Sequence, residues 1–74
     1  MIFYDLPEGQ RRVLHFVMRF IDENEQSPTQ AEIADGLGML EQQVYSTLKA
    51  LEKKKKIKRI KGAHRSIVVS KGGE

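Results

Sequence analysis

A row of polar side chains recurs at helical spacing near the middle of the chain. Gln42, Ser46, Lys49 and Lys53 stand at positions i, i+4, i+7 and i+11, which lie on one side of an α-helix. A glutamine carboxamide can pair in two ways with adenine, a serine hydroxyl bonds to several base edges, and lysines suit phosphates. These residues therefore suggest recognition of double-stranded DNA, and the alternative is an ordinary solvated surface.

The residues around this row extend the set of candidates for reading bases. Gln43 carries a second carboxamide, and the ring of Tyr45 can pack on a thymine methyl group. The base-reading candidates are Gln42, Gln43, Tyr45 and Ser46.

Positive charge is concentrated in the last third of the chain. Residues 53–74 carry a net charge of +8, whereas residues 1–26 carry −2 and residues 27–52 carry −3. This polarity predicts a polyanion that approaches from one side, although a solvated lysine-rich turn and tail is the competing interpretation. The candidates for phosphate contacts are Thr29, Gln30, Lys49, Lys53, Lys58, Arg59, Lys61, His64 and Arg65.

The apolar periodicity predicts a first helix that positions the rest of the chain. It begins between Leu6 and Glu8 and ends near Asn24, with an apolar stripe at helical spacing. Asp5 and Glu8 have the spacing of a capping box, and Pro7 suits the first turn. The stripe comprises Val13, Leu14, Val17, Phe20 and Ile21.

Two further helices follow with a short glycine-containing turn between them. Thr29 and Glu32 form a predicted capping box at the start of the second helix, which ends at Gly38. Gly36 inside this helix has no explanation other than tight packing. The third helix spans about 40–54, and its buried stripe is Val44, Leu48 and Leu51. This arrangement is typical of a helix-turn-helix.

The remaining segment predicts a β-hairpin. Residues 57–61 and 66–69 are the two strands, and residues 62–65 are the turn. Lys54, Lys55 and Lys56 stand where a glycine usually ends the third helix. We therefore predict an α+β fold: a three-helix winged helix-turn-helix with a C-terminal two-stranded wing. Residues 1–74 form one domain with a core over about 6–69 and a frayed tail over 70–74.

Several segments of this sequence resemble the N-terminal DNA-binding domain of LexA-type repressors. They are Pro28-Thr29-x-Ala31-Glu32-Ile33-Ala34-x-x-Leu37-Gly38, then Leu48-Lys49-Ala50-Leu51, and the wing sequence Gly62-Ala63-x-Arg65-x-Ile67. The resemblance covers about residues 6–69 and implies a winged helix that binds DNA in a prokaryote, phage or plasmid. It also favours Arg65 as the wing residue that contacts the backbone or enters the minor groove, because Arg65 matches the family's wing arginine and packing does not explain its position.

The resemblance weakens in the third helix. The stretch from Gly38 to Leu48 is one residue shorter than in the family, and Leu40 replaces the family's serine cap. Residues 41–46 do not reproduce the family's base-reading side chains, so a different target sequence is expected. The family's self-cleaving domain, with its Ser and Lys pair, lies outside the resemblance, and no cleavage activity is implied.

The composition excludes several other classes of function. The chain has no cysteine, and His15 and His64 lack partners at metal-ligand spacing. No nucleophile–base set or phosphate loop is present, so we expect no enzyme activity, no metal, no cofactor and no small-molecule ligand. The N-terminus lacks the pattern of a signal peptide and no segment is apolar enough to span a membrane, which predicts a cytoplasmic protein at the nucleoid.

These patterns together predict a sequence-specific DNA-binding transcriptional regulator, most simply a repressor. The third helix would enter the major groove, and the wing would contact the backbone or the minor groove. The alternative is a winged helix that contacts proteins within a larger assembly, which the acidic first two-thirds of the chain would suit. A homodimer is possible, with Ile2, Phe3 and Tyr4 as one source of apolar contact.

Overall fold

The computed structural model describes residues 6–60, 62 and 65–70. Within them, three helices precede an antiparallel hairpin, so the predicted α+β winged fold is confirmed. The elements are α1 Glu8–Asn24, α2 Gln30–Leu37, α3 Glu41–Lys53, β1 Ile57–Arg59 and β2 Ile67–Val69. The predictions for Asp5, Lys61, His64 and the apolar residues 2–4 concern residues outside this description.

Helix α1 begins without the predicted capping box. Its N-cap is Pro7, which makes no side-chain capping hydrogen bond, and Glu8 is the first helical residue. A capping-box acid stands at the third helical position, so Glu8 lies two residues too early for that role. At the other end Glu25 adopts the left-handed conformation with φ 59°, and its N–H donates to the Ile21 carbonyl.

Helix α2 has the predicted capping box. The Thr29 hydroxyl accepts a hydrogen bond from the Glu32 amide at 3.1 Å, and the Thr29 amide donates to Glu32 Oε1 at 2.9 Å. The helix ends at Gly38, which has φ 67°, a conformation that glycine adopts without a steric penalty. Both ends of this eight-residue helix are therefore set by local sequence.

Helix α3 is followed, before the wing, by a lysine in the left-handed backbone conformation. The Lys55 amide donates to the Glu52 carbonyl and the Lys56 amide to the Leu51 carbonyl, which is the pattern of a Schellman motif. Lys55 occupies the position that glycine usually takes, with φ 63°. Because its Cβ is crowded in this conformation, Lys55 lowers the stability of the turn that ends α3.

The hairpin is shorter than the sequence predicts. Lys58 pairs with Val68 in the centre of the ladder, between the pairs Ile57–Val69 and Arg59–Ile67. Additional backbone hydrogen bonds extend it at both ends, from Ile60 to Ser66 and from Ser70 to Lys56. Ser70, which was expected to belong to the frayed tail, is therefore held at the end of the hairpin.

One apolar core joins the helices to the wing. It contains Val13, Leu14 and Val17 of the predicted α1 stripe, the whole α3 stripe and the inward residue of each strand. Ile21 packs against this core, and Phe20 is not one of its members. Its buried members are Leu6, Val13, Leu14, Val17, Ile33, Ala34, Val44, Leu48, Leu51, Ile57 and Ile67. Among the described residues, no helix combines the length and the apolar character that a bilayer span requires.

The close approach of α1 and α2 explains Gly36. A Cβ atom added there would lie 2.4 Å from Cε2 of Phe16. The absence of a side chain at Gly36 therefore lets the Phe16 ring lie against α2, which agrees with the tight packing expected from the sequence.

We predict that Gly36→Ala destabilises the domain, because overpacking against Phe16 costs about 1–3 kcal/mol and outweighs a helix-propensity gain of at most about 1 kcal/mol. Gly9→Ala is the matched control, since nothing lies within 4 Å of a Cβ added there. Urea unfolding monitored by circular dichroism measures both variants. A Gly36→Ala variant as stable as Gly9→Ala would contradict the prediction.

We also predict that Lys55→Gly raises the free energy of unfolding by about 0.5–1 kcal/mol, because glycine relieves the strain of the left-handed backbone conformation. The greater conformational entropy of glycine in the unfolded chain offsets part of this gain. Lys54→Gly removes the same charge from a residue with φ −82°, so it should not stabilise. Thermal melts of the two variants at matched salt test this difference. Equal shifts for both would refute the strain argument.

Candidate nucleic-acid interface

Helix α3 presents a polar face to solvent. Val44, Leu48 and Leu51 are completely buried, and the helical repeat turns the opposite side outward. The exposed side chains on that side are Gln42, Ser46, Lys49 and Lys53. The row of polar residues that the sequence predicted is thus accessible over the whole helix.

Tyr45 joins α3 to the wing and to α2. The Arg59 guanidinium carbon lies 6.0 Å from the centre of the Tyr45 ring, and Lys49 Nζ lies 5.7 Å from it. These distances suit cation–π contacts. Arg59 also donates to Gln30 Oε1 at 2.9 Å, at the first residue of α2. Four of the predicted contact residues therefore form one cluster that spans three elements.

A surface pocket of about 390 Å³ lies between the start of α2, the start of α3 and the wing. Thr29 and Gln30 line it on the α2 side and Arg59 on the wing side. Glu41 lines it as well, and its carboxylate lies in the first turn of α3, where the helix dipole favours negative charge. The pocket therefore combines the amide end of α2 with a wing cation and an acid.

The side chain of Gln43 is already engaged in the structure. Its Oε1 accepts a hydrogen bond from the Leu40 amide at 3.1 Å and so caps the start of α3. The side chain of Leu40, the N-cap residue, has no hydrogen-bond acceptor, so only the half of a capping box in which the third helical residue binds the N-cap amide is formed here. Gln42 is thus the freer of the two carboxamides, a distinction that their spacing did not reveal.

The cations of the wing do not share one face. Alternation along β1 buries Ile57, exposes Lys58 and half-buries Arg59. Lys58 pairs with Val68, which is also exposed, on the outer face of the hairpin. Arg59 points toward the helices, whereas Lys58 points away from them. The sequence predicts the same phosphate-binding role for both residues, but the strand places them on opposite faces of the hairpin.

Arg65 is bound to Glu32. Its Nη1 donates to Glu32 Oε1 at 2.7 Å and to the Ser27 carbonyl at 2.9 Å, while its Nη2 donates to Glu32 Oε2 at 3.0 Å. One reason to favour Arg65 from the sequence is that packing does not explain its position. That reason was wrong, because the guanidinium is occupied by contacts within the protein.

The Arg65 contact changes the acidity of Glu32. Hydrogen bonds from the Arg65 side chain and, next, from the Thr29 amide lower the pKa of Glu32 from 4.5 to about 2. In turn, the Glu32 carboxylate raises the pKa of Arg65. Both groups are therefore charged throughout the physiological pH range.

Ser27 is a second anchor of the wing, and sequence reasoning missed it. Its buried hydroxyl accepts a hydrogen bond from the Ile67 amide at 3.1 Å and donates to the Pro28 carbonyl. The sequence indicated only that the Ser27-Pro28 pair breaks the helix. No local pattern links Ser27 to a strand forty residues later, so only the folded chain reveals the contact.

Comparison with known proteins identifies relatives of this chain. A family model described as the LexA DNA binding domain matches residues 4–66. The LexA repressor of Thermotoga petrophila is 42% identical over 67 residues, which are 90% of this chain and 34% of that protein. The LexA repressor of Leptospira interrogans is 40% identical over 63 residues, 85% of this chain and 31% of that protein. This chain thus spans about a third of the length of these curated relatives.

The lowered pKa of Glu32 predicts a pH dependence of stability. Its ionised form is favoured by folding, so its contribution is complete above the unfolded pKa of 4.5 and is lost as the pH falls toward about 2. Glu32→Gln keeps a capping side chain and removes the titration. We expect the stability difference between wild type and Glu32→Gln to shrink between these two pH values, measured by urea unfolding. A difference that stays constant with pH would contradict this assignment.

Proposed function

This chain belongs to the family of LexA DNA binding domains, and on that premise we propose that it binds double-stranded DNA sequence-specifically and represses transcription at the promoter it occupies. One observation carries the proposal. The cluster of Gln30, Tyr45, Lys49 and Arg59 brings the start of α2, the polar face of α3 and the wing to a single surface. These are the three elements with which a winged helix contacts a duplex.

Helix α3 enters the major groove in this proposal. A groove about 12 Å wide admits one α-helix, and its first turns reach the base edges. Gln42 and Ser46 lie in those turns and are exposed. Tyr45, 46% exposed, offers its ring to a thymine methyl group. Gln43 contributes through the part of its carboxamide that the Leu40 amide leaves free.

Phosphates are bound around this helix. Lys49 and Lys53 lie further along α3, where the backbone rises beside the groove. Amides in the first turn of α2, next to Thr29 and Gln30, attract a phosphate on the other side. Arg59 adds positive charge beside them. Lys58, Lys61 and His64 are the other wing residues proposed for backbone contacts.

Repression requires no chemistry in this proposal. A bound domain blocks access of polymerase to the promoter, so affinity and position determine the effect. The site of action is the nucleoid in the cytoplasm. Two copies bind two half-sites about one helical turn apart, as helix-turn-helix proteins commonly do.

Selection of bound duplexes from a random pool tests the proposed function. We expect a short enriched motif, repeated in inverted orientation if two copies bind. Gln42→Ala should relax the preference at one or two base pairs and cost about 1–3 kcal/mol on the selected site. Gln10→Ala is the matched control, because Gln10 Oε1 accepts its hydrogen bond from Lys54 at the opposite end of α3.

The salt dependence separates base reading from phosphate binding. Lys49→Ala should reduce the slope of log K against log salt by about 0.9, the value for one phosphate. Arg19→Ala removes the same charge from an exposed ion pair with Glu23 on α1 and should leave the slope nearly unchanged. An intact domain with no affinity for any duplex at low salt would overturn the proposal and favour a protein-contact role.

A further inference from the structure

We propose that Arg65 is a positioning residue, which supports DNA binding by fixing the wing to α2 through Glu32 and Ser27 and does not contact a phosphate. The inference rests on the proposed function, since positioning is measured by its effect on duplex binding. It replaces the direct contact with the backbone or the minor groove that the sequence favours for Arg65.

The geometry supports a structural role for the contact of Arg65 with Glu32 and Ser27, which we call the clasp. Both terminal nitrogens of the guanidinium bind the two oxygens of one carboxylate, at 2.7 and 3.0 Å. A bidentate, charge-assisted pair of this kind fixes orientation as well as distance. The first nitrogen also binds the Ser27 carbonyl, so the guanidinium is held on two sides. Arg65 and Glu32 side chains are 33% and 38% exposed, so solvent reaches only part of the pair.

The clasp joins the wing to the helix that must lie beside it. Glu32 Oε1 accepts from Arg65 and from the Thr29 amide, so the same oxygen caps α2 and holds the wing. Two residues beyond Arg65, the Ile67 amide binds Ser27 Oγ. Strand β2 and the residues just before it are thus bound, through Arg65 and Ile67, to the segment that begins α2.

The charge of the pair argues against a phosphate contact. Glu32 keeps its negative charge under all conditions in which DNA binds, because its pKa is about 2. A phosphate that approaches Arg65 therefore meets a carboxylate next to the guanidinium and loses most of the attraction. Three of the five N–H donors of the guanidinium bind Glu32 and Ser27, so a phosphate would have to use the remaining two and share the guanidinium with the Glu32 carboxylate.

The two roles predict opposite effects of one substitution. Glu32→Gln preserves the capping oxygen and removes the negative charge. If Arg65 bound a phosphate, this change would free the guanidinium, raise affinity and steepen the salt dependence. If Arg65 positions the wing, the same change loosens the clasp and lowers affinity, even though the protein becomes more positive.

The experiment is a double-mutant cycle with Glu32→Gln and Arg65→Gln, read as affinity for the selected duplex over about 50 to 200 mM salt. We expect each single variant to bind about tenfold more weakly and the double variant to bind no more weakly than either. The salt slope of Arg65→Gln should stay close to that of wild type. A slope reduced by about 0.9, or tighter binding by Glu32→Gln, would overturn the proposal.

Two further measurements exclude trivial explanations. Arg65→Lys keeps the charge and loses the bidentate geometry, so positioning predicts weak binding and a phosphate contact predicts nearly normal binding. Glu23→Gln makes the same charge change as Glu32→Gln in the α1 ion pair with Arg19 and should bind at least as well as wild type. Circular dichroism establishes that each variant is folded under the binding conditions.

A readout without DNA separates this proposal from the proposed function. The Ile67 amide should exchange with solvent faster in Arg65→Gln and in Glu32→Gln, because the clasp protects its bond to Ser27. Unchanged exchange in both variants would refute the clasp. If wild type shows the clasp and binds no duplex, the proposed function has failed and the positioning role in DNA binding fails with it.

Discussion

The carboxylate of Glu32 is the contact on which the arrangement of this domain depends. It completes the cap of α2 through the Thr29 amide and holds the wing through both terminal nitrogens of Arg65. A hairpin with three-residue strands has little stability of its own and needs an external support. Because the support is the start of α2, the wing and the helix-turn-helix form one surface.

The second consequence of that arrangement is electrostatic. Lys49 and Arg59 approach the same Tyr45 ring, so one aromatic side chain positions a cation of α3 and a cation of the wing. The ring contacts both cations and Gln30 Oε1 accepts from Arg59, but their charge remains available to an anion. Most of the acidic residues lie earlier in the chain, and the basic C-terminal third gives the molecule its polarity.

Local signals in the sequence were sufficient for most of the fold. The Thr29–Glu32 capping box and Gly38 set the ends of α2, and apolar periodicity identified the buried stripe of α3 and the buried residues Val13, Leu14 and Val17 of α1. The error at the start of α1 has a local cause as well: Pro7 is the N-cap, and the acid that follows it stands too early in the helix. The predicted strands are too long because the alternation of apolar and polar residues continues past the last ladder pair.

The side-chain contacts of the site were harder to predict. The polar face of α3 followed from spacing, because helical geometry alone decides which residues share a side. The pairing of Arg65 with Glu32 joins residues 33 positions apart, and no periodicity relates them. The same holds for Arg59 and Gln30, whose contact depends on how the hairpin packs against α2. The capping bond of Gln43 to the Leu40 amide was not predicted either, because the spacing that placed Gln43 beside Gln42 does not show which carboxamide caps the helix.

The left-handed backbone conformation of the lysine at the end of α3 has a consequence for how stability depends on binding. Lys55 lowers the stability of the free domain relative to glycine, and it adds a cation next to the wing. A polyanion that binds only the folded form restores stability by mass action, in proportion to its concentration relative to its Kd. The cost of the exit conformation is therefore offset only while the anion is bound, so the free and the bound domain should differ in how readily the end of α3 opens.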